Sequence, residues 1–263
     1  MRIDVEQPSM SNVIPNPMPT DSQELLAHTV QIPVADGTMS AYWACPSKSA
    51  NLPIILVVQE IFGVNSHIED VCRRIARLGY LAIAPHLYQR QGDVLNLSEV
   101  DQIREVVAKV PDAQVMADLD AAAHWASKNG GDGTRLGITG FCWGGRIVWL
   151  YAAHNPNLKA GVAWYGRLVA PAPNPLTPTY PMDVVDQLKA PVLGLYGGDD
   201  PLIPNSQVAE LQRRLTSHQS PAQVHLYPGM PHGFFADYRS SYRPEAAADG
   251  WCRLQTWFKD HGV

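Results

Sequence analysis

The chain has no run of basic residues, no apolar stretch of membrane-spanning length and no CxxC pair among its 263 residues. Each absence removes a class of function. Without a Lys/Arg cluster a nucleic-acid partner is not expected, and the 20 basic residues are outnumbered by 25 acidic ones for a net charge of -5. A bilayer helix needs about 20 consecutive apolar residues, and a secretory leader needs a charged start before an apolar core. Neither pattern is present, so we expect no membrane partner and a cytoplasmic location. The four cysteines, Cys45, Cys72, Cys142 and Cys252, are too dispersed for a zinc knuckle or a redox dithiol. No HExxH and no compact His/Asp/Glu cluster of metal spacing occurs, so neither a metal nor a cofactor is expected. Cys45, Cys72 and Cys252 read as small core residues, because free cysteine is commonly buried.

What is there is enough apolar sequence, 46% of the chain, for one large core. Residues 1–27 are polar and dotted with proline, which reads as an arm preceding one catalytic domain over 28–263. Thr29 to Val34 and Thr38 to Ala44 alternate around Ala35-Asp36-Gly37, a hairpin signal that predicts two antiparallel edge strands. From Ile54 onward, continuous apolar runs alternate with helical periodicity, the pattern of a parallel sheet covered on both faces. The runs begin at Ile54, Tyr80, Leu136, Ala160, Val192 and Val224, giving about eight strands in all. Ser66 with Glu69 reads as a capping box opening a helix whose stripe is Ile68, Val71, Cys72, Ile75 and Leu78. Further helices are expected over 99–109, 113–128, 144–154, 205–215 and 245–258.

The segment Gly140-Phe141-Cys142-Trp143-Gly144-Gly145 falls between a predicted strand and a predicted helix. A glycine-x-nucleophile-x-glycine turn in that setting presents one reactive side chain, here a thiol, at the positive end of a helix. Two loops after later strands supply Asp199-Asp200 and then His232, so the chain order is nucleophile, acid, histidine, as in α/β-hydrolases. Strand C-termini of a parallel sheet share one edge, where these loops can converge. His232 would hold the thiol's proton and later protonate the leaving alkoxide, while Asp200, preferred over Asp199, would fix its tautomer. Glu60, in Gln59-Glu60-Ile61-Phe62-Gly63, places a carboxylate at the end of the strand expected beside the nucleophile strand. The backbone N–H groups of Ile61 and Trp143 are the expected oxyanion hole.

Taken together, these segments resemble the dienelactone hydrolase (carboxymethylenebutenolidase-like) family, a cysteine branch of the α/β-hydrolases. The likeness is carried by residues 58–63, 84–90, 140–145, 164–166, 197–200 and 232–234 and spans about residues 30–260. It implies a Cys142, Asp200 and His232 triad, with Glu60 helping to activate the thiol. It also implies Arg90 as the grip on a substrate carboxylate, with Tyr88 and Tyr165 near the site. The family's second arginine, four residues after the histidine, is replaced here by Ala236, and the nearest candidate is Arg239. The expected activity is cleavage of a small ester or lactone through a thioester, by a monomer or homodimer. A broader carboxylesterase or thioesterase, and a non-catalytic thiol-sensing or binding protein on the same scaffold, are the competing readings.

Overall fold

The computed structural model describes Thr20 and residues 24–263. Most of the expected arm lies outside the described residues, and its last residues belong to the sheet, since β1 (Leu25–Val34) begins at Leu25. β1 pairs with β2 (Gly37–Pro46) from Leu25↔Pro46 to Val34↔Gly37, leaving Ala35-Asp36 as the loop. Of these two strands, β1 alone lies at an edge of the sheet. β2 is covered on its other side by β4 (Leu81–Pro85), antiparallel, so its residues 41–45 are buried and the expectation of two edge strands is corrected.

β3 (Leu52–Val58), β5 (Gly131–Phe141), β6 (Leu158–Trp164), β7 (Val192–Gly197) and β8 (Gln223–Tyr227) complete one eight-stranded sheet of order β1-β2-β4-β3-β5-β6-β7-β8. All pairings from β4 to β8 are parallel. Continuous apolar runs are what such strands require, because both faces are covered. Ile54 to Val58 are fully buried. From β3 the chain steps outward to β4 on one side and later returns to β5 on the other. The C-terminal ends of β3 and β5 therefore flank a crevice at the point where the winding reverses, the usual binding position in open α/β sheets.

The helices are α1 (Ser66–Arg77), α2 (Val100–Val107), α3 (Asp112–Lys128), α4 (Trp143–His154), the one-turn α5 (Pro181–Val184), α6 (Asn205–Ser217) and α7 (Pro244–Asp260). α3 and α4 are joined by the bidentate pair of Arg146 with Asp112, at 2.8 and 2.6 Å, and by the Tyr151 hydroxyl donating to Asp120 at 2.9 Å. On the opposite face, Phe258 of α7 packs on Tyr80 beside α1. α1 opens differently from the expected box: its cap is Asn65, whose side chain accepts from the Ile68 N–H at 3.1 Å. Asn65 precedes the helix with extended backbone, so its short amide can fold back onto the first turn. Leu78 ends the stripe on the surface at 40% exposure, and Cys252 is exposed on α7 rather than in the core. Cys45 and Cys72 are buried.

Candidate active site

Cys142 stands between the last residue of β5 and the first of α4 with φ 54° and ψ -111°. Left-handed backbone of this kind costs a residue with a Cβ about 1–3 kcal/mol and persists only where the surroundings enforce it. The Cys142 N–H donates to the Trp164 carbonyl at 2.9 Å, and the Cys142 carbonyl accepts from the Arg146 N–H at 3.3 Å. A Cβ on Gly140 would sit 2.4 Å from the Gly144 carbonyl oxygen, and one on Gly144 would sit 2.4 Å from that of Val58. The glycines thus let β3, β5 and α4 meet backbone to backbone. Trp143, as the first residue of α4, has an N–H with no acceptor inside the helix. Ile61 follows β3, and among the described residues no backbone carbonyl takes its N–H.

His232 lies in the loop after β8, and its Nδ1 is 2.6 Å from Oδ2 of Asp200 in the loop after β7. The other Asp200 oxygen accepts from the Leu202 N–H at 2.8 Å, which fixes the carboxylate. Asp200 is buried and Asp199 exposed, because only one of two adjacent loop side chains turns inward. The His232 Nε2 is buried without a hydrogen bond of regular geometry. Burial works against the charged imidazole, but Asp200 and Cys142 outweigh it, and the group is raised to about 10. With Nδ1 taken by Asp200, the interaction with sulfur falls to Nε2. A loosely aligned contact between nucleophile and base is common before substrate arrives.

Glu60 is 1% exposed. The Tyr238 hydroxyl donates to its Oε2 at 2.6 Å, and Arg239 Nη1 lies 3.6 Å from its Oε1. The Tyr88 hydroxyl donates to the Glu60 carbonyl at 3.3 Å, and its ring meets Trp143 edge to face at 4.9 Å. Tyr165 has φ 40°, its ring is 5.1 Å from that of His232, and its buried hydroxyl has no partner. Burial holds this phenol well above its ordinary range, reinforced by Glu60 and Cys142 and opposed by Arg239. One hydroxyl therefore senses the thiol, the carboxylate and the guanidinium together.

Arg90 is differently placed. Its Nη1 is 2.6 Å from Asp36 Oδ1 at the hairpin loop, and its Nη2 bonds the buried Asp118 of α3. Neither Glu60 nor a triad residue is among the partners the structure gives it. The guanidinium facing Glu60 belongs to Arg239, which also lies over the Phe62 ring at 5.5 Å. An arginine three residues beyond Ala236 thus reaches the carboxylate at the end of β3. Tyr238 has no signal in the sequence, since a tyrosine in an irregular loop carries no period; Arg239 beside it is the pointer to this loop.

A cavity of about 400 Å³ adjoins this centre through Gln59 and Tyr88. Cavities of about 580 and 460 Å³ are lined by none of the site residues. Among the described residues no group of three or more His, Cys, Asp or Glu could hold a metal ion, and no helix is long and apolar enough to cross a membrane.

Residues 39–262 match the model of the dienelactone hydrolase family. The chain is 57% identical over 246 residues to a Methylorubrum extorquens protein named "Putative carboxymethylenebutenolidase", covering 93% of this chain and 84% of that one. It is 53% identical over 234 residues to a Yersinia pestis protein of the same name, covering 88% and 87% of the two chains. The crystal structure of a "Putative Dienelactone Hydrolase" from Klebsiella pneumoniae superposes with a TM-score of 0.87 at 52% identity, over 89% of this chain and 98% of that one. A sheet wound in the α/β-hydrolase order, a thiol on its elbow and relatives of this closeness lead to one conclusion: the chain belongs to the dienelactone hydrolase family, and with it to the carboxylic ester hydrolases.

Proposed function

We propose that the protein opens an ester or lactone bond of a small substrate through a thioester on Cys142, with His232 and Asp200 completing the triad. The observation that carries this reading is the pairing at His232. Its Nδ1 is fixed by Asp200 at 2.6 Å, and its remaining nitrogen is buried and coupled to a thiol on a strained turn. At neutral pH the raised imidazole keeps its proton, so the sulfur attacks beside a cation and His232 then delivers that proton to the leaving alkoxide. The N–H groups of Ile61 and Trp143 would receive the charge that develops on the carbonyl oxygen. Acylation removes the sulfur's contribution to the imidazole's proton affinity. The same nitrogen can then take a proton from the water that hydrolyses the thioester.

Specificity in this reading comes from Arg239, a planar guanidinium near Glu60 that is 31% exposed and suits a substrate carboxylate. Arg90, Tyr88 and Tyr165 remain the residues proposed to line the pocket, with Arg90 acting as a clamp between the hairpin and α3 before any role in binding. No cofactor or metal enters the mechanism.

The test is steady-state hydrolysis of dienelactone beside neutral aryl and alkyl esters. Cys142→Ala should lose several orders of magnitude on every substrate. Arg239→Gln should lose about ten- to hundredfold in kcat/KM on the acidic lactone while sparing neutral esters, the scale of a charge-assisted hydrogen bond. Full turnover by Cys142→Ala would overturn the mechanism. Equal losses on acidic and neutral substrates would remove the carboxylate grip.

A further inference from the structure

Three consecutive side chains of the loop after β8 divide between two anchors, the first on α1 and the other two on Glu60. Asp237, 8% exposed, has Oδ1 2.7 Å from Nδ1 of His67 and Oδ2 2.6 Å from Nη2 of Arg74, both on α1. Arg74 is itself 2.6 Å from Asp70, so the network closes on the helix. Tyr238 turns the other way and donates to Glu60 Oε2 at 2.6 Å, and Arg239 faces Glu60 Oε1 at 3.6 Å. The His67 ring, 5% exposed, sits 5.2 Å from the Tyr238 ring and 5.8 Å from that of Phe235. Phe62 meets Tyr238 edge to face at 6.4 Å.

Glu60 is a buried carboxylate whose Oε1 has no hydrogen bond, so its orientation depends on what holds Oε2. Tyr238 provides that hold. Burial and then Glu60 raise the phenol far above its ordinary range, so it stays a donor throughout the working pH. The phenol is 38% exposed and lies in a loop outside any helix or strand. Nothing in its own element would fix its direction. The fixed point is one residue back, where burial raises the Asp237 carboxyl but His67 and Arg74 outweigh it and hold the group below its ordinary value. Such a doubly bonded buried carboxylate resists both protonation and movement.

We propose that Tyr238 is a positioning residue for Glu60, and that the buried His67–Asp237–Arg74 network is the anchor that sets Tyr238. It leaves the other oxygen of Glu60 facing Arg239. This rests on the Cys142 chemistry proposed above and on the part in activating the thiol that the family resemblance implies for Glu60. The network touches neither the triad nor the substrate in that scheme; it acts through one phenol.

The test uses Tyr238→Phe, which keeps the ring contacts with Phe62 and His67 and removes the hydroxyl that donates to Glu60 and also meets Asn65. Two readouts are taken on the whole protein: steady-state kinetics on a neutral ester, and the second-order rate of Cys142 alkylation by iodoacetamide followed by mass spectrometry. Tyr238→Phe should lower kcat about ten- to hundredfold, the scale of a hydrogen bond to a charged group, with KM changed less than about threefold. It should also change the alkylation rate, with an unaltered thermal midpoint. Asp237→Asn should lower kcat in the same direction by a few-fold, and the double variant should lose no more than Tyr238→Phe alone, because the anchor works through that side chain. A Tyr238→Phe protein with wild-type kcat and alkylation rate overturns the inference while leaving the proposed mechanism standing. Additive losses in the double variant overturn the anchor. Turnover by Cys142→Ala removes the mechanism itself.

Discussion

Two buried histidine–aspartate pairs lie among the described residues, and they differ in everything but geometry. In one, His232 Nδ1 is 2.6 Å from Asp200; in the other, His67 Nδ1 is 2.7 Å from Asp237. Both leave a buried Nε2 without a hydrogen bond. The first imidazole faces a thiol and is raised to about 10, and its aspartate has the Leu202 backbone N–H as second partner. The second is walled by the rings of Phe141, Phe235 and Tyr238, and its aspartate is shared with Arg74. In the second pair the carboxylate's charge is met by the Arg74 guanidinium. On the proposed mechanism, what separates a proton carrier from a structural tie is the third neighbour: sulfur in one case, an arginine and a ring cage in the other.

The sharpest way to break this comparison is to remove the two histidines in parallel. His232→Gln should lower kcat/KM by about three to six orders of magnitude, as loss of a general base does in nucleophilic triads. His67→Gln retains a polar side chain at the buried site and should stay within about fivefold of wild type, its cost appearing in stability instead, about 1–3 kcal/mol for a disturbed buried hydrogen bond. Ester kinetics together with urea denaturation separate the two. Comparable kinetic losses would mean that both imidazoles move protons.

Next come the acids. Asp200→Asn should cost about two to four orders of magnitude in kcat, because the amide misorients the tautomer while leaving the fold intact. Asp237→Asn leaves Arg74 with Asp70 alone and should destabilise by about 2 kcal/mol, read as a midpoint lowered by roughly 4–8 °C in a domain of this size. If calorimetry showed the larger loss of stability in Asp200→Asn, the division between working pair and tying pair would be reversed.

The first of these pairs was legible in the chain and the second was not, for a physical reason. Cys142, Asp200 and His232 each follow an apolar run, so strand periodicity alone places them on one sheet edge. The glycines around Cys142 mark a turn that only small residues allow, and Asp200 in place of Asp199 needed the family likeness as well. The sheet itself was readable because buried parallel strands must be continuously apolar. His67 lies in the first turn of a helix whose apolar stripe drew attention to other positions, and Asp237 is 170 residues away in a loop with no period. No local pattern links them. The same limit explains Arg90, whose partners Asp36 and Asp118 come from a hairpin tip and a distant helix, and β2, whose covered side depends on β4 crossing to it. Residues within an element announce themselves, whereas contacts between loops depend on how the elements are assembled.

The smallest expected effect is on stability against pH, and it places the two pairs at opposite ends of the scale. His232 is raised from an ordinary 6.5 to about 10 in the folded protein. The folded state therefore binds the proton more tightly than the unfolded chain, and the contribution is complete below about 6.5 and lost as pH rises through about 10. Asp237 is shifted the other way, below its ordinary 3.8. Its contribution is complete above that value and is lost as pH falls below it. Thermal melts between pH 3 and 10.5 should show a midpoint that declines on both flanks. His232→Gln should flatten the alkaline flank and Asp237→Asn the acid one. Cys142→Ala, which deletes the sulfur's share of the imidazole shift, should move the alkaline decline to lower pH without touching the acid flank. An alkaline flank identical in wild type and Cys142→Ala would uncouple the thiol from His232, and with it the distinction between the two pairs.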